Sequence, residues 1–175
     1  MIKFDLGDNK FHGEIPPSLL QCRALQTLNI SSNEFRGSIP YEIGILSTLQ
    51  YLDLLDNDFT FSYSIGSFSN LKELDIATNS LHDKIPESIF NLSMLQILAL
   101  STNNISGNLP LSIANGLPDL EGVYLGKNQL SGEIPGCISN FSKLTVLDLS
   151  VNSFRGRVPM NLGNLQNLEL LNLIS

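Results

Sequence analysis

The stretch Leu144–Pro159 reads LTVLDLSVNSFRGRVP, and close relatives of it occur at six other places in the 175-residue chain. Its first half spaces three leucines, Leu144, Leu147 and Leu149, ahead of Asn152. That asparagine recurs at steps of 24, 24, 22, 24, 25 and 24 residues, as Asn9, Asn33, Asn57, Asn79, Asn103, Asn128 and Asn152. Self-similarity at a fixed period of roughly 20 to 50 residues indicates a repeat architecture, in which one structural unit is stacked many times.

Each unit carries the signal of one short strand. Apolar and polar residues alternate around the last two leucines, as in Leu147, Asp148 and Leu149. This period of two is typical of a half-buried β-strand. A single repeat cannot bury its own leucines, so neighbouring repeats must stack with their strands parallel. The recurring asparagine is then predicted to face inward, where its amide satisfies buried backbone groups, and we interpret it as a structural ladder rather than an active site.

The second half of the unit is specific enough to suggest a family. The motif Gly-x-Ile-Pro is complete at three places and substituted at two, namely Gly13–Pro16, Gly37–Pro40, Gly132–Pro135, Gly107–Pro110 and Gly156–Pro159. With the leucines and the asparagine, the unit resembles the roughly 24-residue repeat of plant-type leucine-rich repeat proteins over essentially the whole chain. The segment Leu117–Ser153 is most similar to ectodomains of plant receptor-like kinases. The resemblance implies an α/β fold, a right-handed solenoid shaped like a horseshoe, with a parallel β-sheet on its concave side.

The pattern predicts one domain over residues 1–175, with seven repeats and a partial eighth. The third repeat is short, because it loses Gly-x-Ile-Pro between Phe61 and Ile65. The sixth follows an extra residue at Asn115 and Gly116, a pair typical of turns. The partial eighth retains Leu168, Leu171 and Leu173.

Both ends of the chain suggest a piece of a longer protein. Met1 opens inside a strand motif without the apolar run of a signal peptide, and Ser175 stops one residue before the next expected asparagine. The paired-cysteine caps that usually flank the repeats of the family are missing. We therefore expect a fragment without its caps.

Cysteine and histidine offer little chemistry. Cys22 occupies a column of core leucines and is predicted to be buried, whereas Cys137 shares a column with serines and is predicted to be exposed. The two lie five repeats apart, about 24 Å, so no intrachain disulfide is expected. His12 and His82, the neutral-pH bases of the chain, are about 14 Å apart at the strand spacing, too far to share a metal ion. No enzyme activity, metal or cofactor is predicted, and a kinase domain, if the parent has one, lies outside this chain.

The concave face is predicted to be acidic. Its exposed strand positions carry nine acids and three lysines, a net charge of −6 in a chain of −7, which disfavours nucleic acid as a partner. Aspartate between strand leucines is common in such repeats and keeps the sheet soluble. Exposed aromatic and apolar residues among the acids are more typical of a binding surface. Those predicted to face solvent here are Tyr51, Leu55, Ile97, Tyr124, Val146 and Val151. The predicted ligand-binding residues are Tyr51, Asp53, Asp75, Ile97, Ala99, Tyr124 and Asp148.

Location and function follow mainly from the resemblance. Four Asn-x-Ser/Thr triplets, about as many as the composition produces by chance, are candidate N-glycosylation sites at Asn29, Asn91, Asn104 and Asn140. No apolar stretch approaches the roughly 20 residues of a membrane span, so this segment is not expected to contact the membrane. The resemblance implies a location on the extracellular, apoplastic side of the plasma membrane.

The function that the resemblance implies is recognition of a peptide or protein ligand, as part of a plant receptor-like kinase of the peptide-sensing or immune type. A co-receptor is a further expected partner, on the concave or a lateral face. One alternative is a secreted enzyme inhibitor similar to the polygalacturonase-inhibiting proteins, which would use the same face to block an active-site cleft. A second alternative is a purely structural or degenerate gene fragment.

Overall fold

The computed structural model describes residues 1–61, 68–114 and 116–174, and the shortened part of the third repeat, with Ile65, and Asn115 lie outside them. In the described residues every repeat gives one strand to an eight-stranded parallel sheet whose order follows the chain. All strands are numbered in chain order, and those of this sheet carry the odd numbers. They are β1 Lys3–Asp5, β3 Thr27–Asn29, β5 Tyr51–Asp53, β7 Glu73–Asp75, β9 Ile97–Ala99, β11 Gly122–Tyr124, β13 Val146–Asp148 and β15 Leu170–Asn172. The predicted parallel sheet with one strand per repeat is confirmed.

A second set of strands, which the sequence did not predict, follows the ladder asparagines. It forms two parallel sheets of three and four strands, which we call the lateral sheets. Their members are β2 His12–Gly13, β4 Glu34–Ser38, β6 Asp58–Thr60, β8 His82–Asp83, β10 Asn104–Asn108, β12 Gln129–Gly132 and β14 Ser153–Phe154. The helical segments are short 3-10 turns rather than α-helices, and begin after the motif proline or its equivalent. They are η1 Pro17–Gln21, η2 Tyr41–Ile45, η3 Glu87–Asn91, η4 Leu111–Ala114, η5 Gly136–Asn140 and η6 Met160–Asn164.

The core lies between the large sheet and the 3-10 turns. The middle residue of each inner strand points inward, and Leu52, Leu74 and Leu98 are at most 1% exposed. From the opposite side, the third residue of most turns fills the interior, as Ile43 and Ile89 do at 1% and 0% exposure. Because the middle residues face inward, the first and third residues of the strands must face the concave side.

The ladder asparagines bridge consecutive repeats. Asn103 is 9% exposed, and its Nδ2 donates to the carbonyls of Leu100, Ser101 and, in the preceding repeat, Ile76, at 3.1, 3.2 and 3.1 Å. Its Oδ1 accepts the backbone N–H of Leu81, also in the preceding repeat, at 2.9 Å. The same four bonds recur at Asn33, Asn57, Asn79, Asn128 and Asn152. Asn9 is exposed, and in the described part of the chain its side chain bonds only the carbonyls of its own Leu6 and Gly7.

Left-handed backbone marks two turns of the repeat. The residue before each ladder asparagine has a positive φ, including the β-branched Val151 at 49°. The glycine of Gly-x-Ile-Pro is also left-handed, and Asp83, which replaces it in the fourth repeat, keeps a φ of 66°. That substitution therefore leaves the turn in place and puts a residue with a Cβ in a conformation that glycine adopts more readily.

The predicted burial of Cys22 and the predicted exposure of Cys137 are wrong, because both residues are partly buried. Cys22 belongs to the first repeat, which packs against a neighbour on one side only, so its side chain is not fully enclosed. Cys137 is less exposed than its serine column suggested, and its thiol lies 3.3 Å from the carbonyl oxygen of Leu111 in the preceding repeat.

Candidate functional site

Two columns of side chains line the concave face, one from the first and one from the third residue of each strand. The first-residue column includes Tyr51, Glu73, Ile97, Gly122 and Val146. The third-residue column runs through Asn29, Asp53, Asp75, Ala99, Tyr124, Asp148 and Asn172. All the predicted ligand-binding residues thus lie on the five consecutive strands from β5 to β13. That they bind a ligand stays a prediction.

The aspartates of the third-residue column have a structural role that the sequence analysis missed. Each uses its Oδ1 to accept a backbone N–H two residues later, from Leu55 to Asp53 at 3.1 Å, from Ala77 to Asp75 at 2.9 Å and from Ser150 to Asp148 at 2.9 Å. These Asx turns satisfy the backbone where the chain leaves the strand. The bond fixes the orientation of the carboxylate, and its second oxygen is left for other partners. The recurring Asp or Asn just before the last strand leucine was the available signal.

Burial and mutual repulsion perturb two of these carboxyl groups. Burial raises the pKa of Asp75 to about 6, against the opposing hydrogen bond from Ala77, and the charges of Asp53 and Glu73 raise it further. Burial also raises the pKa of Asp53, with a smaller contribution from Asp5. Asp5 itself is exposed and pairs with Lys3 at 2.9 Å, and this hydrogen-bonded partner is the main cause that lowers its pKa.

The Asp75→Asn variant should be more stable than the wild type at pH 7, and its stability should depend less on pH. The folded state binds the Asp75 proton more tightly than the unfolded chain, whose group titrates near 3.8, so this group favours folding increasingly as pH falls from about 6 to about 4. Asparagine retains an acceptor for the Ala77 N–H and removes the charge. Urea unfolding at several pH values between 4 and 7.5 measures the effect.

Tyr51→Phe is the control for this experiment, because it alters the same face without touching a carboxylate, and it should keep the pH dependence of the wild type. An Asp75→Asn protein whose unfolding free energy follows the wild-type pH profile throughout would show that Asp75 titrates normally.

An apolar platform occupies the middle of the face. Gly122 has no side chain, and a Cβ at its position would lie 2.8 Å from Cδ1 of Ile97 and 2.9 Å from Cε2 of Tyr124. The aliphatic chain and the aromatic ring therefore close over the backbone of Gly122. Ala99, the register partner of both Asp75 and Tyr124, is 8% exposed and forms a low floor beside them. We call Ile97, Ala99, Gly122 and Tyr124 the apolar platform.

The other apolar residues predicted on this face differ in exposure. Tyr51 and Val151 are 41% and 51% exposed, whereas Leu55 and Val146 are partly buried. Tyr51 precedes the platform by two strands, on β5, and is the register partner of Glu73. An aromatic ring therefore stands at the acidic end of the face as well.

The four candidate glycosylation sites are not equivalent. Asn29 lies half-buried on the concave face, where its Oδ1 accepts the N–H and the hydroxyl of Ser31 at 2.9 and 2.7 Å. The side chains of Asn91, Asn104 and Asn140 are exposed and lie outside the concave sheet. Glycans at these three positions would leave the concave face free, whereas a glycan at Asn29 would cover part of it.

The histidines lie apart from this face. His12 and His82 begin strands of different lateral sheets, and Nδ1 of His82 is 2.7 Å from Oδ2 of the adjacent Asp83 at the surface. Within residues 1–61, 68–114 and 116–174, no group of three or more His, Cys, Asp or Glu side chains is placed to hold a metal ion. The helices in those ranges are all too short or too polar to cross a membrane.

The comparisons with known proteins agree with this geometry. The family model described as Leucine Rich Repeat matches residues 24–46, 70–92, 94–115, 119–141 and 143–165. A comparison with curated protein sequences found no match. The crystal structure of PEPR1-AtPEP1 is similar at 34% identity and a TM-score of 0.89, over 99% of this chain and 24% of that one.

Two further solved structures are similar over nearly the whole chain. The Arabidopsis receptor kinase HAESA, in complex with the peptide hormone IDA and the co-receptor SERK1, has 35% identity and a TM-score of 0.85, over 98% of this chain and 33% of that one. A plant ice-binding protein has 27% identity and a TM-score of 0.85, over 97% of this chain and 55% of that one. This chain spans only about a quarter to a third of the two receptor chains.

Proposed function

Since the chain belongs to the leucine-rich repeat family, we propose that it forms the ligand-recognising part of a receptor-like kinase ectodomain and binds a peptide or protein on its concave face. Its mechanism is binding, without catalysis. The observation that carries the proposal is the composition of β5 to β13, where oriented carboxylates lie on the same face as the exposed Tyr51 and the apolar platform. The fold alone does not decide the function, because a plant ice-binding protein has a similar fold.

The class of partner is inferred from receptors that have this architecture. PEPR1 was solved with AtPEP1, and HAESA with a peptide hormone and a co-receptor. By analogy, this chain takes a peptide on the concave face, and a co-receptor engages the concave or a lateral face. The location that follows is the extracellular side of a plasma membrane, where the exposed Asn91, Asn104 and Asn140 would be accessible to glycans.

Peptides selected against the 175-residue chain should lose affinity when the concave face is changed. We would select binders from a phage-displayed library of random dodecapeptides and measure the affinity of the best ones by calorimetry. Tyr124→Ala removes rigid contact area and Ala99→Arg fills the low floor, so each should weaken binding at least about tenfold, the equivalent of 1.4 kcal/mol.

Tyr41→Ala is the matched control, because Tyr41 is 64% exposed in η2, outside the concave sheet. It should change the affinity less than twofold. If Tyr41→Ala abolishes binding while both concave variants bind like the wild type, the concave-face proposal is wrong. The absence of any selected binder would also contradict it.

A further inference from the structure

The concave face is divided along the solenoid into two zones of different chemistry. We call Asp53, Glu73 and Asp75, on β5 and β7, the acidic zone. The apolar platform follows it on β9 and β11. Asp75 and Ala99 are register partners, so the two zones meet without an intervening strand.

The acidic zone is suited to a cation that the ligand brings. Asp53 and Asp75 are neighbours in register, and each has its Oδ1 engaged by a backbone N–H, which orients the carboxylate on the concave face. The Lys3 ammonium is already paired with Asp5, two strands away from Asp53. A guanidinium or ammonium group between partly buried carboxylates forms charge-assisted hydrogen bonds and relieves their mutual repulsion.

The platform is suited to a flat or branched apolar group. Ile97 and Tyr124 converge over Gly122 to within contact distance of a missing Cβ, so the surface there is low and apolar. Aromatic rings and branched aliphatic chains bury large area on such a floor at small entropic cost. Tyr124 also gives the platform a polar edge through its hydroxyl group.

The spacing of the two zones limits the ligand sequence. Asp75 on β7 and Tyr124 on β11 are both register partners of Ala99 on β9, so they lie two strand spacings or about 10 Å apart. A peptide in extended conformation advances about 3.3 Å per residue, so about three residues cover this distance.

We propose that the ligand is an extended peptide lying across the strands, with a Lys or Arg over the acidic zone and an aromatic or branched aliphatic residue on the platform, about three positions apart in its sequence. This inference rests on the proposed function, because it assumes that the peptide occupies the concave face. It adds which side chains recognise the peptide and how far apart they stand.

The selected dodecapeptides described above provide the first test. Pairs of a basic and an aromatic or branched aliphatic residue should be enriched at a separation of three positions, with two and four less frequent, relative to the unselected library. Uniform separations, or enrichment of acidic residues in place of the basic ones, would overturn the inference.

Variants of the two zones provide the second test, with one selected peptide as the probe. The double change Glu73→Gln and Asp75→Asn preserves the shape of the side chains and removes two charges, so it should weaken binding at least about tenfold. For a peptide whose basic residue is replaced by Gln, the same double change should weaken binding much less. Gly122→Ala should displace the Tyr124 ring and weaken binding about fivefold. Gly163→Ala is its control, because a Cβ at Gly163 meets nothing within 4 Å.

The outcomes separate the two proposals. If Tyr124→Ala and Ala99→Arg weaken binding but the selected peptides show no preferred separation, or the charge-neutral double variant binds like the wild type, the two-zone inference fails and the concave-face function stands. If neither Tyr124→Ala nor Ala99→Arg affects binding, both fail together.

Discussion

Replacing Asn103 by alanine is expected to lower the free energy of unfolding by about 3 kcal/mol, because the Leu81 N–H loses its acceptor and three carbonyls each lose one of their two donors. Three carbonyls and the Leu81 N–H bond this one amide, which is 9% exposed. The three carbonyls keep the Asn79 amide, the Asn128 amide and the Thr78 N–H as donors. A buried N–H left without an acceptor costs about 1 to 3 kcal/mol, each lost second bond costs less, and water entering the space vacated by the amide offsets part of the sum. Urea unfolding followed by circular dichroism measures the loss, and hydrogen exchange of the Leu81 amide should become faster.

Asn9→Ala is the matched control for Asn103→Ala. Asn9 has the same place in the repeat, but it is exposed and bonds two carbonyls of its own turn. We expect it to cost less than about 1 kcal/mol, since water already reaches its partners. Equal losses for the two variants, or a loss below about 0.5 kcal/mol for Asn103→Ala, would mean that the ladder does not hold the repeats together as its geometry suggests.

The features that the sequence predicted are those that every repeat builds in the same way. The strand, the inward leucine and the ladder amide depend on residues within one repeat and on stacking against a similar neighbour. Seven copies of one pattern therefore specify them repeatedly, and a departure such as Asp83 leaves the turn unchanged. The two columns of the concave face could be predicted for the same reason, because the recurring motif places equivalent residues of successive strands in register.

The features that were missed depend on what one particular repeat places beside another. The platform exists because Gly122 lets Ile97 and Tyr124 converge, and neither residue type predicts that position alone. Cys22 is only partly buried because the first repeat has a neighbour on one side only. Its alignment with the buried leucines of the other repeats could not show this difference. Several strands of the lateral sheets were missed because they contain the glycine of Gly-x-Ile-Pro, as β4 does with Gly37 and β10 with Gly107, and glycine is disfavoured in strands.

Gly116 is another residue whose role depends on a neighbouring repeat, and replacing it by alanine is expected to lower the free energy of unfolding strongly. The sequence assigned Gly116 to a turn, but the structure places it against the preceding repeat, where an added Cβ would lie 1.8 Å from the carbonyl oxygen of Phe90 and 2.9 Å from its carbonyl carbon. Phe90 is 2% exposed and held in η3, so that backbone cannot move away without disturbing the core. Gly116→Ala should therefore cost about 3 kcal/mol, the upper range for overpacking.

Urea unfolding of Gly116→Ala beside Gly163→Ala measures this cost against a matched control. Gly163 lies in η6 with nothing within 4 Å of its added Cβ, and alanine there should be neutral or stabilise by up to about 1 kcal/mol, because it reduces the freedom of the unfolded chain. The difference between the two variants isolates the contact with Phe90 from the general effect of exchanging glycine for alanine. Gly116→Ala and Gly163→Ala proteins of equal stability would show that the repeats on either side of Gly116 can separate at little cost, and that the close approach to Phe90 is not required for folding.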